Sequence, residues 1–479
     1  MKPDLLEQLP MILIFVHGWS VTDTGTYGGL PAALIKNAPA DLNLQVTHIY
    51  LSKYVSFADE VAVDDLARGM EHAVNDEVIP QLAKDERFAC ITHSTGGPVA
   101  RKWIDLFYRG KLAKCPISHL VMLAPANHGS ALAQLGKSRL SRMKFFIDGL
   151  QPGTGVLDWL ELGSDQSWDL NCQWLSYDST SNGLYPFVLT GQKIDRKFYD
   201  NLNSYTGEEG SDGVVRVASA NMNYGLLRLV QADGDFKLVK DDRTPKTALG
   251  VLPGRSHSGP DKGIMGSVDA EDDGTHPTVQ SVLRCLSVAS IASYNRVTSE
   301  LEELTAKTQE DERVERTKEV FIFQRTFRTN RYCMIIIQIG DDRGNTLSDY
   351  DVLFTAGPDY DENHLPPGFF VDRQRNSKSP GKLTYYIDYD VMDDWFGRPE
   401  LENKFGFKIR ARPDQGYAYY TVAEHRGTFT SLRKYFEPNR TMMLDVQLRR
   451  HVVEGVFRLT QNLTTPEDFR DQPHGQELA

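Results

Sequence analysis

Long apolar runs, a paired cysteine pattern and an excess of basic charge are all missing from this 479-residue chain. No stretch approaches the ~18 uninterrupted apolar residues of a membrane-crossing helix, so contact with a bilayer is expected to be peripheral. The N-terminus reads Met-Lys-Pro-Asp-Leu-Leu-Glu-Gln-Leu-Pro, without the apolar core of a Sec-type signal. Cys90, Cys115, Cys172, Cys285 and Cys333 are odd in number, widely spaced and mostly set in apolar runs. They read as buried small hydrophobes, not as a disulfide framework or a metal site. A formal net charge of −12 argues against nucleic acid as a partner, because phosphate neutralisation needs clustered Lys and Arg. The G-x-G-x-x-G fingerprint of dinucleotide-binding turns is absent, as are internal repeats and low-complexity tracts. The remaining balance, 40% hydrophobic and 25% charged, is that of an ordinary globular protein. At this length two domains are the default expectation.

What is present is organised around Ser94. The apolar run Phe88-Ala89-Cys90-Ile91-Thr92-His93 leads into Ser94-Thr95-Gly96-Gly97 and then into an amphipathic segment, Pro98 to Arg109. Strand, sharp turn and helix in that order make the frame of a nucleophile elbow, with small residues where strand and helix close on each other; Gly96 is the expected one. Thr92 stands where the G-x-S-x-G pattern has its first glycine. The helix N-terminus beside Ser94 suits a developing oxyanion. Considered alone, the same residues could form an ordinary polar turn.

The partners follow in chain order. Met11 to Val16 is a strand buried on both faces, ending in His17-Gly18-Trp19; the backbone amides of Trp19 and Thr95 are the expected oxyanion hole. Gln45 to Leu51, His119 to Pro125 and Pro186 to Thr190 are further strands, and Asp59 to Leu82 is a helix. Alternating strands and helices predict a doubly wound α/β sheet with ligands at the carboxyl ends of its strands. From 127 to 183 the alternation stops, which predicts a cap. It carries Leu140, Met143, Phe145, Phe146 and Ile147 with Trp159, Trp168 and Trp174, as an acyl-binding surface or as the cap's own core. Asp212, in Gly210-Ser211-Asp212-Gly213 before an apolar run, is the candidate acid. His257, in Gly254-Arg255-Ser256-His257-Ser258-Gly259, is the candidate base. His276 competes with it but fits the start of a helix from Thr278. Ser, then acid, then His is the order of an α/β-hydrolase triad. In this reading Ser94 attacks an acyl carbonyl, His257 takes its proton, Asp212 orients the imidazole, and neither a metal nor a catalytic cofactor is required.

Between these, Leu226 to Val239 reads as a hairpin. Residues 1–298 are expected to form the α/β-hydrolase domain and 299–318 a solvated connector, part helical. Residues 319–479 form a β-rich, sandwich-like domain with strands at Val320–Phe327, Tyr332–Ile339, Leu383–Tyr389, Phe405–Arg412, Tyr417–Val422 and Met442–Arg449. Asp359, Asp361, Asp388, Asp390, Asp393 and Asp394 lack EF-hand spacing and read as solvated turns.

Thr92-His93-Ser94-Thr95-Gly96-Gly97, Ser211-Asp212-Gly213 and Ser256-His257-Ser258-Gly259, followed by a long β-rich extension, resemble the PlaB-type phospholipases A of Legionella and related bacteria. Thr92 in place of glycine is itself a trait of that family. The resemblance spans most of the chain and carries the triad onto Ser94, Asp212 and His257. It implies a phospholipase A and lysophospholipase that releases fatty acids and can be membrane-lytic. It further implies membrane association, at the outer membrane, without a conventional signal, assembly into homo-oligomers such as tetramers, and regulatory NAD(H) binding away from the active site. The C-terminal domain would serve assembly or membrane contact. Two other readings use the same residues: a soluble carboxylesterase or acyltransferase, and an inert hydrolase scaffold acting through its C-terminal domain.

Overall fold

The computed structural model describes residues 11–17, 27–50, 60–134, 154–194, 209–318 and 324–454. Trp19 and the cap residues Leu140, Met143, Phe145, Phe146 and Ile147 lie outside them. The first strands are β1 (Met11–His17), β2 (Leu44–Tyr50), β3 (Phe88–His93), β4 (Ile117–Leu123) and β5 (Tyr185–Thr190). A hairpin, β6 (Gly225–Ala232) and β7 (Asp235–Arg243), precedes β8 (Ala248–Val251). β1 to β5 and β8 make one parallel sheet in the order β2-β1-β3-β4-β5-β8. Both faces must be covered, and the side chains alternate accordingly. Phe88 and Cys90 of β3 join one core with helices α1 (Val63–Ala73) and α2 (Gly96–Tyr108), whereas Ala89 and Ile91 join the other. That second core is closed by α3 (Pro277–Leu286) and α4 (Ile291–Asp311). This is the α/β-hydrolase architecture. The helix expected over 59–82 is regular only from Val63 to Ala73; a π turn and a 3-10 turn finish it.

The expected connector is structured. Residues 299–311 are the second half of α4, whose Tyr294, Val297, Leu301, Thr305 and Thr308 are buried. Thr305 accepts from the Val251 amide of β8 (2.9 Å) and anchors the helix to the sheet. The buried face repeats at helical spacing, but three threonines, Thr298, Thr305 and Thr308, stand in it, and this disguises it as a polar segment.

Beyond α4 the chain is β-rich. β9 (Val314–Lys318) and β10 (Gln324–Arg328) pair with each other. β11 (Tyr332–Asp341), β12 (Tyr350–Ala356), β13 (Phe370–Arg375), β14 (Lys382–Asp388), β15 (Lys404–Ala411), β16 (Ala418–Tyr420), β17 (Ala423–Thr428) and β18 (Thr441–Leu448) follow. One six-stranded mixed sheet runs β13-β14-β11-β18-β6-β7, and a three-stranded sheet runs β12-β15-β17. The hairpin β6–β7, although it lies within residues 1–298, therefore belongs to the second sheet and pairs β18 in parallel. The central strand β11 of that sheet is buried on both sides. Tyr332, Met334 and Ile336 of β11 join the core with α1, α2 and the cap, while Cys333, Ile335, Ile337 and Ile339 face the three-stranded sheet. A period-2 strand with no polar face carries two cores at once.

Trp159, Trp168 and Trp174 are all buried in the first of these cores, so the cap's tryptophans are core, not an exposed lipid surface. Trp159→Ala is expected to cost about 3–5 kcal/mol of stability. It should lower turnover of long-chain and short-chain esters by the same factor; a selective loss on long chains would assign Trp159 to substrate.

The acidic loops of the β-rich part have structural partners. Asp388 caps a helix by accepting from the Val391 amide (2.9 Å), Asp361 accepts from Asn363 (2.8 Å), and Asp390 and Asp393 pair with Arg331 and Arg433. Among the described residues no three His, Cys, Asp or Glu side chains group as a metal site, and no helix is long and apolar enough to cross a membrane.

His119 is buried at the sheet, its Nε2–H donating to the Val288 carbonyl (2.7 Å). Burial pushes its imidazole down to about 4, with Arg87 adding to the shift against the carbonyl's pull. The unfolded chain therefore takes up this proton first as pH falls below its ordinary value near 6.5. Stability present above that value is lost on the way down to pH 4, by up to about 3 kcal/mol. Melting temperatures of wild type and His119→Gln between pH 7.5 and 4 should show a shallower fall in the variant; parallel curves would remove His119 from the acid response.

Candidate active site

The sequence Thr92-His93-Ser94-Thr95-Gly96-Gly97 folds as a tight corner between β3 and α2. Ser94 sits in the left-handed region at φ 53°, which costs a non-glycine residue of the order of 1 kcal/mol and is held only because the surroundings fix it. Its amide donates to the Leu123 carbonyl of β4 (3.0 Å), and its carbonyl accepts from the Gly97 amide (3.2 Å). Gly97, not Gly96, is the residue that has no room for a side chain: a Cβ there would stand 2.6 Å from that of Pro125. At Gly96 the nearest atom to a Cβ would be the Cβ of Thr92, 3.3 Å away. Thr92 thus fills the space left open at the first glycine position of the motif.

The corner presents the serine hydroxyl to His257. Ser94 Oγ lies 3.1 Å from His257 Nε2, and His257 Nδ1 lies 2.9 Å from Asp212 Oδ2. A carboxylate only accepts, so Nδ1 carries the proton and Nε2 is left as the acceptor for the serine hydroxyl. Asp212 is completely buried. Its other oxygen accepts from the amides of Val214 (3.0 Å) and Val215 (2.8 Å), and the His257 amide donates to the Asp212 carbonyl (2.9 Å). The Asp-Gly signal seen in the sequence is a turn and an acid at the same time. Thr95 stands at the N-cap position of α2, without a side-chain capping bond, and its amide lies at the helix N-terminus next to Ser94 in the chain. This geometry can deprotonate a serine, and the helix N-terminus favours the negative charge on the carbonyl oxygen that the serine attacks.

His276 does not reach this site. Its Nδ1 accepts from the Thr278 amide (3.2 Å) as the cap of α3, and its Nε2 accepts from Arg255 (2.9 Å). Burial and that guanidinium push it down to about 4.

Several supporting residues escaped the sequence reading. His93, adjacent to the serine, donates from Nε2 to the His257 carbonyl (3.2 Å) and stacks at a tilt against its ring. Burial above all, and the neighbouring His257, hold the His93 imidazole well below its usual range, so it is a neutral brace. The Asp212 loop is gripped from the β-rich sheet. The Tyr386 hydroxyl reaches the Glu209 and Gly210 carbonyls (3.2 Å each), and the Tyr332 hydroxyl donates to Glu209 (3.0 Å). Arg216, fully buried, lies 4.1 Å from the centre of the Tyr386 ring and pairs with Asp372. Gly210, at φ 72°, passes so close that an added methyl would overlap the Tyr332 ring and the Tyr386 hydroxyl.

No family model matches the chain, and no curated protein does. Two solved structures match nearly all of it. Phospholipase PlaB from Legionella pneumophila in complex with thio-NAD is 53% identical, with a TM-score of 0.88 over 98% of this chain and 100% of that one. A second structure of phospholipase PlaB from Legionella pneumophila is 55% identical, with a TM-score of 0.89 over 96% and 97%. With an elbow serine joined to a histidine and an aspartate on an α/β sheet, and likeness at this level from end to end, the chain belongs to the PlaB phospholipase family.

Proposed function

We propose that the protein is a serine phospholipase A with lysophospholipase activity. The observation that carries this reading is the unbroken relay from Ser94 through His257 to Asp212, in a chain whose near full-length relatives are phospholipases. Ser94 attacks the ester carbonyl of a glycerophospholipid while His257 Nε2 takes its proton, and the Thr95 amide, with that of Trp19, holds the oxyanion. The imidazolium then protonates the departing glycerol oxygen, leaving an acyl-Ser94 ester. Water, deprotonated by the same Nε2, attacks that ester and frees a fatty acid. Asp212 keeps the imidazole in its Nδ1–H tautomer throughout and stabilises the imidazolium.

The test is fatty-acid release from mixed phospholipids and lysophospholipids, with a short soluble ester and an alcohol acceptor in parallel. Release from the lipids supports the phospholipase; turnover of the short ester alone, or transfer to the alcohol, would favour the carboxylesterase or acyltransferase.

Peripheral membrane association at the outer membrane and assembly into a homotetramer remain proposals supported by the family resemblance, with the β-rich part in assembly or membrane contact. NAD(H) binding is supported by the thio-NAD complex of the relative. A polar cleft of about 390 Å³ between α4 and the β-rich part is lined by Arg313, Arg331 and Arg440 and also by Glu302, Glu310 and Asp390; Arg331 is paired with Asp390 and Arg440 with Glu437, so a pyrophosphate there would rely on Arg313. Such binding would be regulatory. The division into 1–298 and 319–479 serves as a functional one, with β6–β7 lent to the second part.

A further inference from the structure

Between the two sheets of the β-rich part lies a cavity of about 360 Å³. Protein interiors are close-packed, and voids beyond the size of a water are few, so a space of this size in the middle of a sandwich needs an explanation. Its volume lies within the range of small-molecule sites, about 300–1,000 Å³. The walls are apolar: Leu229, Ile337 and Leu444 from the six-stranded sheet, and Phe405, Phe407 and Ile409 from the three-stranded one. Water gains no partners from such walls, and apolar cavities of this kind stay dry or take up an apolar ligand.

Polar groups come in from one stretch of chain, at the rim formed by His425 of β17 and by Ser431 and Lys434 in the short turns after it. The Lys434 ammonium rests over the Tyr435 ring at 4.8 Å, and no carboxylate pairs with it among the described residues. The other charges nearby are committed: His425 faces Asp235 (3.2 Å), and Arg243, 5.4 Å from the centre of the Tyr435 ring, faces Asp241 (3.2 Å). Leu238, 43% exposed on β7, also lines the cavity. The site therefore combines a deep apolar interior, an apolar lip and one uncommitted cation at the opening.

We propose that this cavity binds a single long-chain fatty acid, with the hydrocarbon tail between the sheets and the carboxylate at Lys434. An apolar tail and one anionic head are what the walls and rim complement. A zwitterionic lysophospholipid shares the tail, but it brings a choline cation to the same opening along with its phosphate and so complements Lys434 less well than a carboxylate does, and a short acid cannot fill the interior. The cavity is lined by none of Ser94, Asp212 or His257, so it stands whether or not the hydrolytic reading does.

The experiment is equilibrium binding of radiolabelled palmitate to the full-length Ser94→Ala protein, in which turnover is removed, with butyrate and lysophosphatidylcholine as competitors. One saturable equivalent is expected, displaced by neither butyrate nor, at comparable concentration, lysophosphatidylcholine. Lys434→Glu, at an exposed position, should weaken palmitate at least about 10-fold. Leu444→Trp, which fills the cavity, should abolish binding, with a thermal melt to check its fold. Absence of saturable palmitate binding overturns the proposal, as does binding unchanged in Lys434→Glu. Equal affinity for palmitate and the lysophospholipid overturns the assignment of the carboxylate to Lys434. If Leu444→Trp does not fold, the Lys434→Glu result decides alone.

Discussion

Ser94→Ala is expected to lower fatty-acid release by about 10⁶-fold, and His257→Asn by about as much, with the double variant no worse than either. The two groups make one bond together. Without Oγ there is no acyl-enzyme, and without Nε2 the hydroxyl 3.1 Å away keeps its proton, so removing the second group takes away nothing that still works. What survives is the residual of about 10³–10⁴ over water that binding and oxyanion donors alone supply. His276→Asn is the control. It should keep turnover within a few-fold, because asparagine is itself a good helix cap and can replace the bond from the Thr278 amide. Rates measured on one lipid preparation for all four proteins decide the matter. A 10⁶-fold loss in His276→Asn with little in His257→Asn would reassign the base.

Asp212→Asn should lower kcat by about 10⁴-fold with the fold intact, because an amide at Oδ2 presents a donor to Nδ1 and favours the wrong tautomer. A milder change on the same loop tests how that carboxylate is held. Gly210→Ala puts a methyl where the Tyr332 ring and the Tyr386 hydroxyl already stand, and the loop can relieve the overlap only by moving Asp212. Displacement of about 1 Å costs about 10²-fold in rate. It should appear in kcat and leave KM within a few-fold, since Gly210 is placed behind the acid, away from Ser94. An unchanged kcat in a folded Gly210→Ala protein would show that the grip of the β-rich sheet on this loop is packing without consequence for chemistry.

The parts of this site that were legible in the sequence are those that local order encodes. A buried strand, small residues and a helix around Ser94, an acid before an apolar run at Asp212, and a glycine-flanked loop histidine at His257 can each be read within ten residues, and the structure brings the three together. The grip on the Asp212 loop could not be read that way. Tyr332, Tyr386 and Asp372 come from strands far along the chain, and nothing in an apolar run tells that its tyrosines point at a loop more than a hundred residues earlier. Likewise the alternation in 225–243 indicated a hairpin but not its sheet. Period-2 patterning fixes which side chains share a face; it is silent on which edge accepts the strand. The second half of α4 was hidden because Thr305, which uses its hydroxyl on β8, and Thr308 are both buried, while hydropathy counts them as polar.

The hairpin also sets a timetable for synthesis. β6 and β7 leave the ribosome well before β18, whose backbone is β6's parallel partner, and parallel pairing at long sequence separation is slow. At about 5–20 residues per second the wait is of the order of 10–40 s. Throughout that interval β6 carries an unpaired edge; Tyr332 and Tyr386 are made within it, on β11 and β14, but β18 is the strand that joins theirs to β6 in the sheet. The nascent chain thus completes its serine corner early but acquires a seated acid only when its last long strand arrives. Hydrolytic competence, on this account, waits for the synthesis of β18, long after Ser94 has been made.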